Sequence, residues 1–120
     1  MGYTSIEQSK KLISLGLNPE TADMNWEGCM ERIGKIPDYC KPFKDTFIPC
    51  WSVTALFGVI RNNLLSCSLH AGNMGYYVTL DSPLYNHWRF QSIVYSKPID
   101  ALFELMVYLL EKKHIKNGLI

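Results

Sequence analysis

"LLSCSLHAGNMGYYVTLD", residues 64–81, decides the fold class. Leu65, Cys67 and Leu69 alternate with Ser66, Ser68 and His70, and Tyr76, Val78 and Leu80 alternate with Tyr77, Thr79 and Asp81. Successive side chains of a strand point to opposite faces, so each run has one apolar and one polar face. Turn residues at 71–75, "AGNMG", separate the two runs, and the whole predicts an antiparallel hairpin. With the loop centred on "GNMG", His70 falls near Tyr77 and Ser66 near Asp81. A third run, "HWRFQSIVY" (87–95), is strand-like, with Trp88, Phe90 and Val94 on one side and Ser92 interrupting that side.

The apolar face of such a sheet needs a cover, and "KPIDALFELMVYLLEKKH" (97–114) supplies it. Pro98 is tolerated in a first helical turn, Asp100 and Glu104 lie toward the positive end, and Lys112, Lys113 and His114 toward the negative end. Ile99, Leu102, Phe103, Leu105, Met106, Leu109 and Leu110 form a face too broad for an exposed helix. "NG" at 117–118 is expected to end it.

Two helices are expected upstream. Residues 4–15 carry Thr4 and Glu7 at capping-box spacing, an apolar stripe of Ile6, Leu12, Ile13 and Leu17, and Gly16 as the terminating residue. In "IPCWSVTALFGVIRN" (48–62), Val53, Leu56, Phe57 and Ile60 repeat at i, i+3, i+4 and i+7. Ser52 immediately before them is a preferred N-cap, with Trp51 packing against the helix start.

Residues 18–49 show no sustained periodicity. A short helical turn is expected near 27–33, and "PDYCKPFKDTFIP" (37–49) holds three prolines in thirteen residues, which excludes a long helix or a central strand. The segment reads as an extended arm packed by Trp26, Tyr39, Phe43 and Phe47, and these four are the candidate binding residues, since partly exposed aromatics dominate protein contacts. The fold expected is α+β, a single domain over 1–120: a three-stranded antiparallel meander packed on a C-terminal helix, with helices N-terminal to the sheet.

Composition narrows the function. Of 120 residues, 48% are apolar and 19% charged, with a net charge of +1, an ordinary globular balance. The basic residues are scattered, so neither nucleic acid nor an anionic membrane is expected as partner. No run reaches the roughly 18 apolar residues of a membrane span, and "MGYTSIEQ" matches neither a signal peptide nor a myristoylation site; a cytoplasmic location is expected. Cys29, Cys40, Cys50 and Cys67 form no C-x-x-C pair or zinc-finger cluster, and are expected as reduced thiols with no metal and no cofactor. His87 and His114 have no ligand partner at helical or strand spacing.

The sharpest enzymatic alternative is a small cysteine hydrolase, peptidase- or amidase-like, with Cys50 before a helix, His70 as base and Asp81 as orienting group. Its chain order is similar to that of papain-like and NlpC/P60 hydrolases, without their local signatures. The expected hairpin register separates His70 from Asp81 along the ladder.

"YTSIEQSKKLISLGLNPETADM" (3–24), "IPCWSVTAL" (48–56) and "DALFELMVYLLEKKHI" (100–115) together resemble a family of small uncharacterised proteins of Bacteroides-type gut anaerobes and their prophages and integrative elements. Its pattern is E-Q-S-K-x-L-x-x-x-G-L-x-P-x-T-A-D-M, then P-x-W-S before an apolar helix, then a helix beginning D-A-x-F-E-M. Position 50 lies outside that pattern. The resemblance implies a mobile-element accessory protein, a class in which partner binding is common; with the residues read above, the function expected is non-enzymatic, binding of another protein or of a second copy as a homodimer.

Overall fold

The structure is a computed structural model, described here for residues 2–27, 32–35, 47–63, 65–81 and 89–112. Helix α1 (Ile6–Ser14) is followed by a single 3-10 turn (Pro19–Thr21), then strands β1 (Met24–Glu27), β2 (Arg32–Gly34) and β3 (Phe47–Cys50). Helix α2 (Val53–Asn62), strands β4 (Ser66–Gly72), β5 (Gly75–Asp81) and β6 (Arg89–Gln91), and helix α3 (Pro98–Glu111) complete the order. The fold is α+β with two three-stranded antiparallel sheets, ordered β2-β1-β3 and β4-β5-β6. Helix α3 covers β5, α2 packs on β4 and α3, and α1 bridges β3 and α3.

The meander forms as its alternation demands. His70 pairs with Tyr77 and Ser66 with Asp81, and the ladder runs on to Gly72–Gly75, so only Asn73 and Met74 form the loop. Val78 and Leu80 are fully buried beneath α3, whose Ile99, Ala101, Leu102, Leu105, Met106, Leu109 and Leu110 make up the largest part of the core. Leu12, Leu17, Trp51, Leu56, Val59 and Ile60 join the same cluster.

The third strand departs from a simple alternation. Phe90 pairs with Leu80 and packs its ring on Tyr108 at 4.4 Å. Ser92 and Val78 keep the same register through the Ser92 N–H, but the next bridge joins Tyr76 to Tyr95. Ile93 and Val94 therefore both stand opposite Tyr77, a β-bulge that turns the strand over. Val94, expected on the inner side, is 48% exposed and Ile93 66%. Trp88 lies outside the described residues.

Helix α1 begins one residue later than its spacing suggests. Ser5 is the N-cap and Gln8 closes the capping box, in place of Thr4 and Glu7. Thr4 is fully buried and committed elsewhere: its hydroxyl shares a hydrogen bond with Ser9 Oγ (2.8 Å) and accepts from the Trp51 N–H (3.0 Å). The helix ends in a Schellman arrangement, with Gly16 at φ 102°, Gly16 N–H donating to Ile13 and Leu17 N–H to Leu12. Helix α2 starts as expected, with Ser52 Oγ accepting from the Ala55 N–H. Helix α3 closes at Glu111, ahead of the "NG" expected to end it, and residues 113–120, with Lys113 and His114, lie outside the described set.

The largest correction concerns residues 24–50. Of the short helical turn expected near 27–33, both ends are strand and residues 28–31 lie outside the described residues: Met24–Glu27 and Arg32–Gly34 are paired strands, and Phe47–Cys50 pairs with the other side of β1. Pro49 is accommodated because β3 is an edge strand of this sheet. All four residues of β1 are only half-buried. A strand with neither face in the core has no reason to show an alternating pattern, which is why β1 carries no period-two signal.

Candidate functional site

Cys50 closes β3, opposite Met24, and is fully buried. Desolvation, and then the nearby Asp23 carboxylate, push its thiol up to about 12. The nucleophilic form is the thiolate, so this environment opposes the chemistry a hydrolase would ask of it. His70 lies in the other sheet, its ring stacked on Tyr77 at 4.6 Å and its Nε2 hydrogen-bonded with Thr79 Oγ1 at 3.1 Å. Asp81 pairs with Ser66, four positions along β4 from His70, on the order of 13 Å at about 3.3 Å per residue. The structure thus does not gather Cys50, His70 and Asp81 into one site. Cys67 is half-buried, and desolvation pushes its thiol up to about 11. Cys29, Cys40 and His87 lie outside the described residues. Among the described residues no three His, Cys, Asp or Glu side chains converge as a metal would require, and no helix is long and apolar enough to cross a membrane.

Of the four candidate binding aromatics, Trp26 and Phe47 are described and both are half-buried; Tyr39 and Phe43 lie outside the described residues. Trp26 sits in the central strand, paired with Ile33 and Ile48, whereas Phe47 pairs with Glu27. Paired residues share a face and neighbours alternate, so Trp26 and Phe47 occupy opposite faces of the sheet.

Trp26 is also tied down. Its indole N–H donates to the Thr4 carbonyl at 2.8 Å, which fixes the ring beside the start of α1. There Trp26, Ser5, Ile6 and Glu7 line a cleft of about 270 Å³. Among the described residues the cleft offers the Trp26 ring, the Ile6 side chain and the Glu7 carboxylate. That combination suits an apolar side chain, or the stem of a Lys or Arg whose head reaches Glu7. The contribution of α1 is not legible in the sequence, because Ser5, Ile6 and Glu7 are distant from Trp26 in the chain and the fold brings them together.

Residues of the 3–24 and 48–56 segments serve the fold itself. Thr21 Oγ1 accepts the Trp51 indole N–H at 2.8 Å, and Asp23 accepts both the Ser52 N–H (3.0 Å) and hydroxyl (2.5 Å). The turn after α1 is thereby fastened to the start of α2. Comparison with protein-family models, with curated proteins and with solved structures found no match to this chain.

Proposed function

We propose that this chain is a non-enzymatic accessory protein of a mobile element that works by binding another protein, with Trp26 at the contact. The observation that carries the proposal is the Trp26 cleft: a half-buried indole, fixed by the Thr4 carbonyl, beside Ile6 and the carboxylate-bearing Glu7. A rigid aromatic with one open flank loses little conformational freedom on binding, which is why Trp so often dominates contacts. The buried, protonated state of Cys50 and its separation from His70 favour this reading over a cysteine hydrolase. The mobile-element part rests on the sequence resemblance alone.

The test is affinity capture from cells carrying the parent element, comparing wild type with Trp26→Ala, beside thermal melts of both. The expected result is loss of the captured partner with the fold retained. Equal capture by the two proteins would remove Trp26 from the contact.

A further inference from the structure

Among the described residues the two edges of the β4-β5-β6 sheet are built differently. At β6 the described paired strand, Arg89–Gln91, is followed by the Ile93–Val94 bulge, a device that keeps an edge from pairing further. At the other edge, β4 runs for seven residues, "SCSLHAG", in unbroken register with β5. It contains no Lys, no Pro, no bulge and no formal charge. Among the described residues nothing pairs with its outer side.

The hydrogen-bond phase of that outer side follows from the hairpin. A two-residue loop closes on a hydrogen-bonded pair, here Gly72–Gly75, so Ser66, Ser68, His70 and Gly72 aim their backbone groups at β5. The phase agrees with the opposite ladder, where Tyr76 and Val78 address β6. Cys67, Leu69 and Ala71 therefore aim their N–H and C=O groups away from the sheet. Beside the start of this edge lies a second cleft, about 290 Å³, lined by Phe57, Ile60, Arg61, Leu65, Ser66 and Cys67. It sits between the edge strand and α2, where an added strand would place its inward side chains.

We propose that β4 pairs antiparallel with β4 of a second copy, joining the two meanders into one six-stranded sheet about a two-fold axis at Ser68. In this register Cys67 and Leu69 of each copy exchange hydrogen bonds with Leu69 and Cys67 of the other. Leu69 of one copy then lies over the cleft beside Cys67 of the other, extending the apolar layer under α2. An uncharged strand meets itself without like-charge repulsion, and a two-fold contact is self-complementary by construction. The surface is separate from the Trp26 cleft, so the inference stands or falls independently of the proposed function.

Ser68 is exposed and faces away from the core, so it can be changed without touching the fold. The experiment is sedimentation of wild type, Ser68→Lys, Ser68→Asp and an equal mixture of the two variants, with melts of each to show that they fold. Wild type should dimerise. Each charged variant alone should weaken the dimer at least about tenfold, because the two charges face each other directly across the axis, and the mixture should restore it. Ala71→Pro, which removes an outward N–H, should weaken it as well. In a Cys67→Ala background, Ser68→Cys should form an intermolecular disulfide on oxidation, since residues facing across a non-hydrogen-bonded pair lie within disulfide reach. A wild type that stays monomeric at millimolar concentration overturns the proposal. So does a dimer indifferent to both Ser68 charges and to Ala71→Pro.

Discussion

The hydroxyl of Ser92 stands where a regular strand would place a carbonyl: it accepts the Val78 N–H at 3.0 Å, while the Ser92 N–H donates to the Val78 carbonyl at 3.0 Å. Ser92 Oγ in turn donates to the Ile93 carbonyl at 2.9 Å. The bulge at Ile93–Val94 turns the Ser92 carbonyl out of the ladder, and the side chain supplies the missing acceptor. The one polar residue on an apolar strand face is therefore what lets the strand bulge without stranding a buried N–H.

Ser92→Ala should leave the Val78 N–H unsatisfied in a buried site and cost about 1–3 kcal/mol. Ser92→Thr, which keeps the hydroxyl, should cost clearly less. Denaturant melts of the two variants check this, and a silent Ser92→Ala would mean that the bulge is not held by that hydroxyl.

Gly75 and Gly72 face each other across the hairpin end, yet they should respond oppositely to alanine. Gly75 has φ 134°, and a Cβ there would run into the Tyr95 carbonyl. That carbonyl is itself bonded to the Tyr76 N–H at 2.7 Å and cannot move freely. Gly75→Ala should cost at least about 2 kcal/mol from backbone strain and collision together. A Cβ on Gly72 meets nothing within 4 Å, and Gly72→Ala should be neutral within about 0.5 kcal/mol. Equal melting midpoints for the two variants would contradict this account of the turn.

Ser52 should matter more than an isolated helix cap. Its hydroxyl accepts from the Ala55 N–H at 3.1 Å and donates to Asp23 at 2.5 Å. Ser52→Ala removes both, at an expected cost of about 1–2 kcal/mol. A double-mutant cycle with Asp23→Ala should show coupling, since the two residues share one network. Strict additivity would show that the Asp23 contact contributes nothing.

The thiols should make stability fall in alkaline solution. Burial raises Cys50 from the ordinary 9.0 to about 12 and Cys67 to about 11. The folded chain thus holds these protons more tightly than the unfolded chain does. Their contribution is fully present below about pH 9 and is lost as pH rises through 11 to 12. Tyr95, raised to about 12 by its hydrogen bond to Glu104 and then by burial, acts in the same direction above pH 10. Denaturant midpoints should drop less between pH 8 and pH 11 for Cys50→Ala than for wild type. Iodoacetamide at neutral pH should modify Cys50 far more slowly than a free thiol.

Much of the second half of the molecule was legible in its residues. The alternation at 65–70 and 76–81 set the hairpin and its register, and the breadth of the apolar face on 99–110 placed α3 over it. Ser52 marked the start of α2. Those signals are local and periodic, and burial on one face writes them directly into the chain. Less was legible in the first half. Trp26 could be singled out as a candidate aromatic, but its surroundings could not, because Ser5, Ile6 and Glu7 come from another element.

By itself, then, the sequence determined which elements bury a face: three helices, a hairpin and an apolar third run. Tertiary structure decided what depended on partners far along the chain. Thr4 left the capping box for Ser9 and Trp51 because burial makes an unpaired hydroxyl costly, and the cap moved to Ser5. Strands β1, β2 and β3 formed through backbone pairing, which leaves no periodic mark in β1, where neither face enters the core. The bulge at Ile93–Val94, and the separation of Cys50 from His70 onto different sheets, were likewise settled by which strands met, since hydrogen bonds between strands are indifferent to distance in sequence.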